Sequence, residues 1–130
     1  MSTAVICTGV LGLLVFGLGL AVSLTRGATS TSIGFNPDPA DRLYKMVRAH
    51  GNATEFNPML AVLILYLGTR QPASWLEWVF VLAAASRVLH AAGMILSPTL
   101  AKPQPLRFIG AVGTYVAGII LAIQAIRVAG

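Results

Sequence analysis

Long apolar runs with brief polar punctuation dominate the chain. The first run, about residues 3–25, carries no charge and is closed by Arg26. Residues 27–40 change character to Ser, Thr, Gly and Pro, ending Asn36-Pro37-Asp38-Pro39-Ala40-Asp41, which is loop chemistry. There Asp38 is expected as an N-cap with Pro39 at the first helical position. A second helix is expected over about 41–68, a third over 74–96 and a fourth over 106–128. Runs of about 20 apolar residues match the length that crosses the hydrocarbon core. The pattern predicts an all-α integral membrane four-helix bundle, with 1–130 as a single domain.

The second helix is unlike the others. Its purely apolar part is only Met59–Leu67, so the membrane must take in some of the polar segment before it. Pro58 removes the bond to the Thr54 carbonyl and is expected to kink the helix. Ahead of it lies Arg48-Ala49-His50-Gly51-Asn52-Ala53-Thr54-Glu55. In a chain with 10% charged residues, this density of polar side chains needs a partner or a ligand. The third helix adds Arg87 and His90 well inside its apolar run.

Composition supports the membrane reading, with 56% hydrophobic residues. The net charge of +5 comes from scattered single Lys and Arg residues without a basic run, so nucleic acid is not an expected partner. Arg26, Arg42, Lys45, Lys102 and Arg107 cluster in or beside the two longer loops, against Arg70 and Arg127 at the other end. The positive-inside bias therefore puts the longer loops in the cytoplasm and the termini on the opposite side. The first run has no basic leader and is too long for a signal-peptide core, so it is expected to be a retained span. Cys7 in an apolar run is expected to pack as a small hydrophobe, and no Cys/His spacing suggests a metal. Trp75, Trp78 and Tyr66 suggest an interfacial belt, with Glu77 near Arg70.

Depth counting brings the ionisable residues together. Glu55 lies about 25 Å from the turn near Pro72 along one helix, and Arg87 about 22 Å along the next. Intramembrane charges usually pair inside the bundle, so a Glu55–Arg87 interaction is expected. Such a pair could serve a ligand or only fix the bundle. Arg48, Asn52 and Glu55 share one helical face, as do Arg87, His90 and Met94. With Arg26 and Arg107 at the same end, these faces form a net-positive cleft suited to carboxylates. Gly110, Thr114 and Gly118 recur every four residues as a packing face.

The Arg48–Pro58 stretch resembles the motif of the MAPEG family, the membrane-associated proteins in eicosanoid and glutathione metabolism. The family pattern, Arg-Ala-His/Gln-x-Asn-x-x-Glu followed by an aromatic and a Pro, matches at Arg48, Ala49, His50, Asn52, Glu55, Phe56 and Pro58. Arg87-Val88-Leu89-His90 is similar to the corresponding piece of the microsomal prostaglandin E synthases. Length, span count and Arg107 at the start of the last span extend the likeness over essentially the whole chain.

The resemblance implies a homotrimer with glutathione as co-substrate, held between protomers near the cytosolic leaflet. It implies contacts from Arg48, His50, Asn52 and Glu55, with Arg26, Arg87 and His90 around them. Arg107 would be the catalytic residue holding the thiolate, with Lys102 as the alternative cation. Where glutathione-using relatives have a Tyr, four residues after His90, this chain has Met94. The expected activity is a glutathione transferase or peroxidase acting on lipophilic electrophiles or hydroperoxides. The alternative within the family is a non-catalytic lipid-binding protein that presents its ligand to a partner. A small four-span multidrug exporter ranks lower, because that class carries its Glu in the first span. The compact loops suggest a bacterial member, in the inner membrane.

Overall fold

A computed structural model describes residues 1–129. It contains four helices and no strand among the described residues: α1 (Ser2–Thr29), α2 (Arg42–Gly68), α3 (Ser74–Leu96) and α4 (Pro105–Arg127). α2 packs on α1 and α3 packs on α4, while α2 also touches α3 and α4. α1 reaches α3 but not α4, so α1 and α4 flank the other two. α1, α3 and α4 are long and apolar enough to cross a membrane. α2 is not apolar enough by composition, although its 27 residues extend about 40 Å at 1.5 Å per residue.

The helix ends follow local chemistry. α1 continues through Gly27 to Thr29, past the loop start expected at residue 27, because no proline interrupts it there, and the Thr25 and Thr29 hydroxyls donate to the Ala21 and Thr25 carbonyls (2.8 and 2.9 Å). It stops at Ser30, which takes left-handed geometry (φ 51°). The N-cap of α2 is Asp41, not Asp38 as expected: Asp41 Oδ1 accepts from the Tyr44 amide at 2.8 Å. Asp38 instead accepts from the Ala40 amide at 2.9 Å and shapes the turn before the helix. α2 runs through Pro58 as one helix. Gln104 caps α4, its side-chain oxygen accepting from the Arg107 amide at 2.8 Å, with Pro105 in the first turn.

The main core holds Leu11, Ile64, Leu67, Phe80 and Leu121, contributed by all four helices. Near the longer loops a smaller cluster contains Leu18, Ala49, Ala53, Ala91 and Met94. α3 and α4 meet closely at Gly110, where a Cβ would come within 2.5 Å of the His90 nitrogen and 2.7 Å of the Ser86 carbonyl oxygen. Gly110 and Thr114 are buried, and Gly118 faces Leu60 of α2, so the four-residue repeat is a packing face as expected. The glycines of α1 differ: Gly9, Gly12 and Gly17 meet nothing within the protomer, and only Gly19 has a close neighbour, His50.

The two longer loops are joined at one end of the bundle. The Leu100 amide donates to the Pro39 carbonyl, and Lys45 Nζ donates to the Ser97 carbonyl, both at 2.9 Å. At the other end, Trp75 and Trp78 are exposed and Arg70 lies over the Tyr66 ring, 4.9 Å from its centroid. Glu77 does not engage Arg70. Its carboxylate faces the Met1 nitrogen at 3.9 Å.

Candidate functional site

Arg87 organises the polar interior. It is 1% exposed, and its partners are neutral. Nε donates to Asn57 Oδ1 at 3.0 Å, and an Nη donates to Asn52 Oδ1 at 2.6 Å and to the Asn52 carbonyl at 3.3 Å. The guanidinium carbon lies 5.1 Å from the Phe56 ring centroid, and Phe56 meets Tyr115 edge-on at 5.7 Å. The depth match expected between α2 and α3 is present, but the expected Glu55–Arg87 ion pair is not formed. Glu55 is exposed on the outer face of α2, and two amides take the positions around the cation. Neutral acceptors satisfy the guanidinium without removing a carboxylate from water, which would cost several kcal/mol.

Asn57 did not stand out in the sequence as a site residue. It is 1% exposed, and its Nδ2 donates to the Leu11 carbonyl of α1 at 3.0 Å. One amide thus joins three helices. A signal was present: an amide flanked by Phe56 and Pro58 in a membrane helix needs two partners, and Arg87 was already placed at its depth.

The remaining candidates separate into groups. Arg48 is exposed and, with Glu55, has no hydrogen-bond or ion-pair partner among the described residues. Asn52 is half-buried, and its Nδ2 has no partner among the described residues. Together these residues give α2 an outward-facing strip with donors and one carboxylate. His50 turns away from that strip toward α1, where its Nε2 would lie 3.2 Å from a Cβ at Gly19.

His90 and Arg107 form a second group. His90 Nδ1 donates to the Arg107 carbonyl at 2.9 Å, which leaves Nε2 as an acceptor in the neutral ring. An Arg107 Nη donates to the Leu100 and Lys102 carbonyls at 3.2 and 3.3 Å. A groove of about 250 Å³ opens beside them, lined by His90, Pro103, Gln104, Arg107, Phe108 and Ala111. Arg26 serves its own loop, donating to the Gly34 and Thr31 carbonyls at 2.8 and 3.3 Å. Lys102 is exposed and contributes its carbonyl to Arg107. No cluster of metal-ligating side chains occurs among the described residues.

Between α2 and α4 runs a mostly apolar groove of about 310 Å³, with Glu55 among Phe56, Met59, Leu63, Tyr115 and Ile119. It adjoins the polar strip, so an apolar molecule could lie beside a polar one.

An all-helical protein with three apolar helices of membrane-crossing length, and an arginine solvated by amides inside the bundle, is an integral membrane protein with a buried polar site. The chain belongs to the MAPEG family, whose family model matches residues 4–127. No match is found among curated proteins or among solved structures.

Proposed function

We propose that the protein is a membrane-bound glutathione transferase or peroxidase acting on lipophilic electrophiles or hydroperoxides, assembled as a homotrimer. The observation that carries this reading is the outward strip on α2 of Arg48, Glu55 and the free Asn52 carboxamide nitrogen, backed by the buried Arg87 that holds the Asn52 oxygen. Glutathione has two carboxylates and one ammonium group. Arg48 and the Asn52 amide supply donors for a carboxylate, and Glu55 supplies the acceptor for the ammonium. Because the strip faces outward, a neighbouring protomer can complete it.

The chemistry needs a thiolate. A thiol with a pKa of about 8.5 is mostly protonated at neutral pH, and an adjacent cation raises the reactive fraction. Arg107 is the proposed cation. Its Nη contacts with the loop carbonyls fix the guanidinium, and His90 pins the backbone that carries it. The sulfur attacks the electrophilic carbon, the C–S bond forms, and the leaving group departs with its electron pair. With a hydroperoxide, two glutathiones yield the disulfide, an alcohol and water. The α2–α4 groove is the proposed seat of the lipophilic acceptor. The proposed orientation puts the two joined loops in the cytoplasm, where glutathione is available.

A second reading, a lipid-binding protein without catalysis, is favoured by two observations. Arg107 already bonds two loop carbonyls, and Met94 is buried with Leu18, Ala49 and Ala53 where relatives carry a Tyr. Equilibrium binding tests the site itself. Glutathione and its thiol-free analogue ophthalmate should both bind saturably, and Glu55→Gln should weaken both about tenfold, through loss of a charge-assisted hydrogen bond worth about 1.4 kcal/mol. Absence of saturable binding to the wild type would remove the glutathione reading.

A further inference from the structure

We infer that Asn57 is a positioning residue: through Arg87 it fixes which way the Asn52 carboxamide faces, and so makes Asn52 a donor-only contact at the proposed glutathione site. The role assigned to Asn52 rests on the function proposed above, but the positioning relay does not.

Arginine carries five N–H donors and no acceptor. The Asn52 atom 2.6 Å from the Arg87 guanidinium is therefore its carbonyl oxygen, and the carboxamide nitrogen must face the other way. That nitrogen has no partner among the described residues and lies on the strip with Arg48 and Glu55. The same rule fixes Asn57, whose oxygen accepts from Arg87 Nε at 3.0 Å. Its nitrogen then meets the Leu11 carbonyl, a group that can only accept, at 3.0 Å. Both amides have one orientation compatible with their neighbours. Asn57 holds Nε and is itself held by α1, which aims the guanidinium at Asn52.

The consequence is selectivity. An amide free to rotate offers either a donor or an acceptor, and could bind a ligand ammonium as readily as a carboxylate. A fixed Asn52 admits only an acceptor.

Asn57→Leu tests the relay, with Asn57→Ala as a smaller second variant and Asn57→Asp as the conservative one. Asp retains the oxygen for Arg87 but not the donor to Leu11. The readouts are the ¹⁵N side-chain amide resonance of Asn52 in detergent without ligand, and the glutathione KM and kcat. The relay predicts that Leu and Ala move the Asn52 resonance toward that of a solvated amide, while Asp keeps it near its wild-type position. It also predicts a KM about tenfold higher in Leu and Ala, the loss falling on KM rather than kcat. An unmoved Asn52 resonance in both Leu and Ala overturns the proposal, as does an equal displacement in Asp and Leu. If the wild type shows no affinity for glutathione, the functional reading fails, and the ligand-free spectra still decide the relay.

Discussion

At the scale of single residues, Arg87 shows how a cation is kept inside an apolar bundle. Its donors find amide oxygens and a backbone carbonyl, and Phe56 covers one side. Arg87→Leu would leave Asn52 and Asn57 facing an apolar side chain with their oxygens unsatisfied. Buried unsatisfied acceptors cost about 1–3 kcal/mol each, so the variant should melt well below the wild type in detergent. Arg87→Lys should fall between them, because one ammonium cannot reproduce the planar fork. Equal melting of all three proteins would mean that the network contributes nothing. The depth of Arg87 was legible by counting residues from the turn near Pro72. Its partner was not: charge pairing pointed to Glu55, whereas neutral Asn57 carries no charge signal and was decided by the packing of three helices.

Among the helices, the boundaries show what sequence reading resolves. The range expected for α3 is the one observed, since Pro72 and the Ser97-Pro98 pair mark both ends. The start of α2 was legible to within a few residues, but either of two aspartates in Asp38-Pro39-Ala40-Asp41 could have been the cap. The choice lies in which carboxylate reaches a free helix amide, and only Asp41 does. The α3–α4 contact was legible as a small-residue repeat. Gly110→Ala should be disruptive there, because the new methyl meets backbone atoms of α3 rather than a mobile side chain end. Overpacking of this kind costs about 1–3 kcal/mol. Gly27→Ala, exposed and with nothing within 4 Å, is the control. Thermal unfolding in detergent should separate the two, and similar melting temperatures would contradict close helix packing at Gly110.

For the whole molecule, the four-helix order and the joining of the two longer loops place Arg26, Lys45, Lys102 and Arg107 at one end. The proposed orientation puts that end in the cytoplasm. In a Cys7→Ala background, an impermeant maleimide applied to intact cells should label Gln71→Cys but not Lys102→Cys, and the reverse pattern would invert the topology. The separation of α1 from α4 leaves α1 with exposed Leu13, Phe16, Leu20 and Leu24, and with glycines that meet nothing in the protomer. Those surfaces are available to lipid or to the neighbouring protomers of the proposed trimer. The family motif made the polar strip on α2 legible from sequence. How the strip is supported from behind, by Arg87 and Asn57, depends on contacts between residues far apart in the chain.

In the proposed function, this polar strip and Arg107 together make a working glutathione enzyme. The most direct measurement is conjugate formation by the purified, detergent-solubilised protein with glutathione and a chlorinated nitrobenzene, comparing wild type, Arg107→Ala and Lys102→Ala. Wild type and Lys102→Ala should form conjugate faster than the uncatalysed reaction, and Arg107→Ala should lose that rate. A wild-type protein without conjugating or hydroperoxide-reducing activity would overturn the glutathione-enzyme reading, as would an Arg107→Ala variant as active as the wild type.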